Sequence, residues 1–441
     1  MVRHPDPALN SSRTVLRRLA RWWLAPLPAP PATLRRGPLR PGAFSSPLRS
    51  ARLTSQLGVA LGVAFGVCFL TGLLSHLIQH PPGWFVWPAH PVWIYQLTQG
   101  IHVATGLASV PLLGVKLWSV YPRLFTWPPV RSLAHAAERA SVAVLVAAAL
   151  FQLVGGVLNI SRWYAPMPFF FTTGHYWVGW LTVGALLAHI GVQLPVVTSA
   201  LGRPAPDPPP AVPPPAVPPP AVPPPAVPPP AVPTPAPSPV GPSRRGLLTA
   251  TAAAAGLITV TTVGQTLRPL SGLALLAPRR PDAGPQSLPV NKTADGAGVR
   301  AAALDPSYRL LVAGPGGRLS LDLAALNALP HHTAHLPIAC VEGWSATGTW
   351  TGVRLRDLVA LVGADPGRAT VLVESLQAAG RYRASTVAPQ LTGDPSTLIA
   401  LRLGGEPLHV DHGYPARLIA PNRPGVLQTK WIGRITVGGP R

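Results

Sequence analysis

The chain has 441 residues, enough for two or three domains; 47% are hydrophobic, only 11% are charged, and the mean hydropathy is +0.29. That balance excludes an ordinary soluble globular protein, so part of the chain belongs in a membrane and lipid is one of its partners. The net charge of +22 would raise nucleic acid as a partner, but ten arginines against the single acid Asp6 crowd residues 1–52, while 16 basic face 11 acidic residues from Arg280 onward. Such an asymmetry reports membrane topology and excludes a nucleic-acid footprint. Two cysteines, Cys68 and Cys340, leave no disulfide framework.

Residues 1–52 are rich in Arg, Pro and Ala and read as a basic, disordered cytoplasmic arm. A short amphipathic helix around Arg17, Arg18, Arg21, Trp22 and Trp23 could rest on anionic lipid. Residues 53–200 hold four apolar runs, near Gln56–Leu77, Trp93–Val120, Ala140–Ile160 and His175–Thr198; each meets the roughly 20 residues that a hydrocarbon core requires. Lys116, Arg123, Arg131 and Arg139 flank the second connection, whereas the first has no Lys or Arg and the third only Arg162. The amino terminus and second connection are therefore expected in the cytoplasm, with Trp84, Trp87, Trp93, Trp163, Tyr164 and Tyr176 forming an outer aromatic belt.

Residues 201–243 carry five copies of Pro-Pro-Pro-Ala-Val between Pro208 and Val232, a density that supports only an extended polyproline linker. Residues 244–270 open on Arg244-Arg245 and run apolar to Val263. This stretch resembles a twin-arginine export signal placed inside the chain, and it also satisfies the pattern of a fifth span with cytoplasmic arginines. Five spans from a cytoplasmic start put residues 271–441 outside the cell membrane. There, short β-rich runs such as Tyr308–Val312, Thr370–Glu374, Leu398–Leu403 and Arg417–Ala420, with helical stretches at Leu321–Leu329 and Leu355–Val362, predict a mixed α/β domain.

Ionisable side chains inside spans are costly and point to function. The second span carries His102 and Lys116 and the fourth His175 and His189, each pair 14 residues apart. Fourteen residues make about 21 Å and nearly four whole turns, so both members share a face. The two spans run the same way, so His102 and His175 lie at one depth near the outer surface, where facing imidazoles can supply both axial ligands of a b-type haem. The spacing resembles that of di-haem cytochrome b bundles, although Lys116 occupies the inner position of span two and leaves only His189 for a second haem. His76 and His80 are alternative outer ligands or quinone-site residues. Histidines hydrogen-bonded within the bundle remain the competing reading. His331, His332 and His335 have no Cys or carboxylate to complete a metal site and read as loop.

The segment Leu336-Pro-Ile-Ala-Cys-Val-Glu-Gly-Trp-Ser345 centres on Cys340, which is either a soft metal ligand or a small buried hydrophobe. Followed by Trp350-Thr-Gly-Val353 and Leu355-Arg-Asp-Leu358, it resembles the molybdenum-cofactor domain of the sulfite oxidase superfamily, and within it the branch of the methionine sulfoxide reductase catalytic subunit. A second block, Asp411-His-Gly-Tyr-Pro-Ala-Arg-Leu-Ile-Ala-Pro421 and then Lys430-Trp-Ile-Gly-Arg-Ile435, is similar to the segment that wraps the pterin phosphate. The resemblance covers roughly residues 285–441. It implies that Cys340 binds molybdenum held by molybdopterin, that His412, Arg417 and Lys430 contact the cofactor phosphate, and that Asn291 lies near the pterin.

Together these readings predict a membrane-bound molybdopterin oxidoreductase fused to a haem-b carrier that exchanges electrons with quinone or quinol. Sulfite oxidases proper have an anion-binding arginine where this chain has Val290, and they continue past the Lys-Trp motif, whereas this sequence ends at Arg441. A neutral or sulfoxide-type small substrate, reduced with electrons from quinol, is therefore expected over sulfite. The alternative is a non-enzymatic membrane sensor or scaffold with a degenerate cofactor domain.

Overall fold

Serine side chains begin three of the long helices. Ser50 accepts a hydrogen bond from Leu53 N, Ser132 from His135 N and Ser243 from Gly246 N, each at 3.0–3.2 Å, satisfying amides that a helix start leaves free. The computed structural model describes residues 29–202, 243–266, 268–280 and 283–438. The arm before residue 29, with the stretch around Arg17, and the proline-rich linker at 203–242 lie outside the described residues.

Among the described residues, five helices are long and apolar enough to cross a membrane: α1 (Ala51–Gln79), α2 (Ile94–Val120), α3 (Leu133–Ile160), α4 (Phe171–Leu201) and α5 (Arg244–Val263). α1, α3 and α4 exceed the apolar runs seen in sequence, because capping serines, aromatic residues and polar turns extend the helix beyond the hydrocarbon-length core, whereas α2 matches its run to within one residue. Pro111 and Pro195 lie inside α2 and α4, a placement that spanning helices tolerate when neighbours re-satisfy the freed carbonyls. Lys116 Nζ donates to Thr54 O across the α1–α2 interface at 2.6 Å.

The remaining domain is built on two five-stranded sheets. The first has the order β2-β1-β10-β5-β6, from Gly317–Leu321, Leu310–Gly314, Ile432–Val437, Val371–Ser375 and Ala384–Val387, with β1 and β10 parallel. The second runs β3 (His332–Ala339), β4 (Ser345–Arg354), β7 (Leu398–Leu403), β8 (Glu406–Pro407), with β9 (Arg417–Ile419) also paired to β7. Alternation along β7 sends Ile399 and Leu401 into the core shared with the first sheet, while Leu398 and Ala400 join Ile338, Cys340 and Trp350 on the other face. Wholly buried Leu310, Leu326, Leu355, Leu358 and Leu398 each contribute about 1.5–3 kcal/mol.

The histidine triplet is a correction. His332 and His335 belong to strand β3 and are not loop. The Pro330 and Pro337 that bracket the stretch signal a break, but eight cross-strand pairs, from His332 with Gly352 to Ala339 with Ser345, hold it extended. His335 Nδ1 lies 3.0 Å from Thr349 Oγ1, and His331 Nε2 donates to Leu326 O at 3.2 Å.

The α/β domain docks on the end of the bundle formed by the α1–α2 and α3–α4 connections. Trp87 Nε1 donates to Asn422 O, Asn422 Nδ2 donates to Pro88 O, and Asn422 Oδ1 accepts from Tyr95 N, all at 2.8 Å. His90 Nε2 pairs with Asp394 at 2.8 Å. Asn159, at the end of α3, donates to Val341 O at 2.9 Å.

Two adjoining candidate sites around Cys340 and His102

Strands β3 and β4 form a hairpin whose turn is Cys340–Trp344. Cys340 N donates to Trp344 O at 2.8 Å, and Gly343 N to Cys340 O at 3.0 Å. Gly343 has φ +83°, and a Cβ there would stand 3.0 Å from Val103 of α2, so the turn rests directly on the helix bundle. Cys340 thus closes the strand at a fixed point and is 1% exposed.

A cleft beside it is lined by Asn291, Ile338, Trp344, His412, Arg417 and Lys430 as well as Cys340. All five residues singled out in the α/β domain therefore converge on one place. Strand β9 carries Arg417, the short turn Val410–His412 carries His412, and Lys430 immediately precedes β10. Gly413, at φ +112°, lets these segments approach: a Cβ there would lie 2.9 Å from Arg417 Cβ and 3.1 Å from Lys430 Cβ.

The electrostatics of the cleft are one-sided, since no Asp or Glu lines it. Burial without a carboxylate partner pushes Arg417 down to about 9, and burial together with Arg417 holds Lys430 well below the usual lysine range. Burial likewise takes His412 down to about 4, so its ring is neutral near pH 7 and donates from Nε2 to Pro285 O at 2.6 Å. Arg417 gives its two terminal nitrogens to His412 O and Gln428 O and leaves Nε without a partner. Lys430 Nζ donates to Asn291 Oδ1, Lys292 O and Asp411 O. Burial, then the negative charge of Glu342, pushes the Cys340 thiol well above its ordinary value; such a thiol is protonated when free and is deprotonated only by a coordinating metal.

This donor set, one soft sulfur with cation donors and with the neighbouring Glu342 engaged by Arg162 and Trp344, fits a molybdenum atom and a pterin phosphate. The space is closed at present. Pro289, Val290 and Asn291 cover the cleft down to about 10 Å³, room for about one water, so a pterin needs the segment 285–292 displaced. Gln286 and Ser287 in that segment sit at φ +52° and +56°, a conformation that costs roughly 1–3 kcal/mol per residue.

On the other side of the hairpin turn lies a cavity of about 420 Å³ inside the bundle, lined by His102, His175, His76, His80, Cys68 and Val341 among others. The rings of His102 and His175 are 6.0 Å apart with planes at 74°. His102 Nδ1 donates to Cys68 O at 2.8 Å, which leaves Nε2 for a metal, and Gly72 makes room for the ring, since a Cβ there would lie 2.9 Å from His102 Cε1. His175 Nδ1 is buried without a partner. His76 stacks on Tyr176 at 3.7 Å, with His80 4.8 Å away, and all three line the cavity with Arg381 of the α/β domain. His189 does not line this cavity, and Leu61, Leu113 and Ala149 pack the bundle interior towards the opposite end. Among the described residues, no group of three or more His, Cys, Asp or Glu side chains could by itself hold a metal ion.

Residues not singled out in sequence complete the surroundings. Arg162, in the α3–α4 connection, donates to Asn291 O at 2.8 Å and stands 3.5 Å from Glu342, whose other oxygen accepts from Trp344 Nε1. Its signal was its solitude, as the sole Lys or Arg in the α3–α4 connection. Val341 stood in the sequence only as a member of the Cys340 motif and Arg381 carried no signal, because their places on the cavity arise from the docking of two distant segments.

Residues 298–439 match the family described as "Oxidoreductase molybdopterin binding domain". Over 162 residues the chain is 33% identical to mitochondrial sulfite oxidase of Mus musculus, a match covering 30% of each chain. It is also 33% identical over 132 residues, 30% of this chain and 49% of the other, to the provisionally named protein-methionine-sulfoxide reductase subunit YedZ1 of Azospira oryzae. The sulfane dehydrogenase SoxCD of Paracoccus pantotrophus is similar at TM-score 0.28 and 24% identity, over 31% of this chain and 40% of that one. The chain thus spans only about a third to a half of the length of these relatives. The family match and the sequence relatives identify in this chain a molybdopterin-binding oxidoreductase domain of the sulfite oxidase type, preceded by a helical region with five apolar helices among the described residues.

Proposed function

We propose that the protein is a membrane-bound molybdopterin oxidoreductase that exchanges electrons between its α/β domain and a b-type haem held by His102 and His175, and through that haem with the quinone pool. The observation that carries this reading is the convergence of Cys340, Arg417, Lys430 and His412 on one acid-free cleft. Cys340 is the molybdenum ligand, Arg417 and Lys430 hold the cofactor phosphate, and His412 and Asn291 orient it. When bound, that cofactor supplies oxygen-atom or two-electron chemistry. The protein's own part is to fix one sulfur, neutralise the phosphate and exclude water.

The haem reading is supported by the 6.0 Å between the two imidazoles, close to what two metal–nitrogen bonds of about 2 Å impose on opposed rings. The bond from His102 Nδ1 to a backbone carbonyl fixes the tautomer that coordination needs. A second haem at His189 has no comparable partner in the described residues. Electrons have a short covalent route between the sites: Cys340 faces the cleft, its neighbour Val341 faces the cavity, and Asn159 pins the Val341 carbonyl.

The same docking supports a reading of sidedness. The α/β domain sits against the two connections poor in Lys and Arg, and Gln265 and Thr266 after α5 bond to Ser345 N and Gly343 O. An outer α/β domain with a cytoplasmic amino terminus agrees with the placement of Lys116 and Arg123 at the other end. Arg244-Arg245 then serves as an internal twin-arginine export signal and as the cytoplasmic flank of α5. The substrate is a small sulfur-oxo compound reduced with quinol electrons, a reading supported by Val290 at the cleft wall in place of an anion-binding arginine.

The test is molybdenum and haem content with turnover in wild type and Cys340→Ser. Loss of turnover with the haem spectrum intact is expected. Unchanged turnover removes Cys340 from the mechanism.

A further inference from the structure

The cavity around His102 and His175 has an apolar body and an outer mouth of unusual charge. His76 and His80 lie there, 4.8 Å apart, with Tyr176 stacked on His76. The third basic group comes from elsewhere in the chain. Arg381, on the turn between β5 and β6 of the α/β domain, reaches across the docking interface and lines the same cavity.

Arg381 is held in place by neutral groups alone. Its Nη1 donates to Thr173 Oγ1 in the first turn of α4 at 2.7 Å, and its guanidinium lies 4.9 Å from the ring centre of Phe170. No carboxylate stands within ion-pair distance of it among the described residues, and no Asp or Glu lines the cavity. Thr173, two residues before His175 on α4, lines the cavity together with Arg381 and His175, so the guanidinium is held at the rim of the same space as the imidazole. A lipophilic cavity with a basic, acid-free mouth calls for a flat apolar body that carries oxyanions at one edge.

Resting on the haem reading above, we propose that Arg381, with His76 and His80, anchors the carboxylate side chains of the tetrapyrrole seated between His102 and His175. The haem site is then made by both domains. The helices supply the axial imidazoles and the α/β domain supplies the fixed positive charge, so that docking and haem retention depend on one another. A positive charge at the rim also favours the reduced haem, which carries one more electron.

The experiment uses the full chain, purified in a phosphate-free detergent, as wild type, Arg381→Leu and Arg381→Lys. It reads the haem-to-protein ratio after challenge with a haem-scavenging apoprotein, the midpoint potential by optical redox titration, and co-purified phospholipid phosphate; molybdenum content reports whether the α/β domain is intact. Losing a charge-assisted hydrogen bond predicts about tenfold or greater faster haem loss in Arg381→Leu, with a lower potential, and near wild-type values in Arg381→Lys. Unchanged haem retention and potential in Arg381→Leu overturn the proposal. So does a variant that keeps its haem but releases bound phospholipid, because the mouth then holds a lipid headgroup. A wild-type protein without haem removes the axial-ligand reading itself and this proposal with it, whereas a haem-replete wild type beside an indifferent Arg381→Leu overturns the anchor alone.

Discussion

Arg417 is buried among backbone carbonyls, with no acid lining its cleft and one guanidine nitrogen unpartnered. A buried cation so placed is costly unless an anion joins it. Replacing it with Met exchanges the cost of a desolvated charge for the loss of two hydrogen bonds, so the cofactor-free fold is expected to stay within about 1 kcal/mol of wild type. Cofactor retention, measured as bound molybdenum after gel filtration, should fall about tenfold or more. Arg417→Lys should be intermediate, because lysine keeps the charge but loses the planar fork. His412 makes a second expectation at this scale. Its pKa is depressed to about 4 in the fold against 6.5 unfolded, so the unfolded chain takes up the proton first as pH falls. The histidine therefore removes stability progressively from pH 6.5 down to about 4, by roughly 3 kcal/mol. Glu342, raised by burial, contributes with the opposite sign. Denaturation of cofactor-free wild type and His412→Gln across this range isolates the histidine: the wild type should lose more stability than the variant on acidification.

The elements explain why the cleft is shut. The segment 285–292 lies over Cys340 and ties down the groups a cofactor would use: Pro285 O accepts from His412, and Asn291 Oδ1 and Lys292 O accept from Lys430. Its two left-handed non-glycine residues make displacement less costly than for relaxed backbone. Hydrogen exchange of cofactor-free and cofactor-loaded protein should differ most at residues 286–292, with the sheets β1–β10 unchanged; equal exchange there would mean that the cofactor enters by another route. Much at this scale was legible in sequence. Hydropathy alone located all five long helices, and β7 was read to the residue. The hairpin β3–β4 was not, because Pro337 and the polar histidines obscure a strand whose pairing partners alone hold it extended.

At the scale of the whole molecule, the shared direction of α2 and α4 made the neighbourhood of His102 and His175 legible in sequence, and their rings stand 6.0 Å apart. The convergence of Cys340 with residues some 70–90 positions later was legible only as a resemblance in motif order. The docking that puts Val341 and Arg381 on the bundle cavity left no local trace, because surface complementarity between segments some 200 residues apart has no period. That docking gives the account its form: one turn of chain separates a sulfur facing the cleft from a valine facing the cavity. The central claim concerns that sulfur. X-ray absorption at the molybdenum edge of the purified full chain measures it most directly. The account predicts that Cys340→Ser, prepared so that it retains metal, shows one fewer sulfur in the molybdenum coordination sphere than wild type. An unchanged sulfur count in the variant would contradict it.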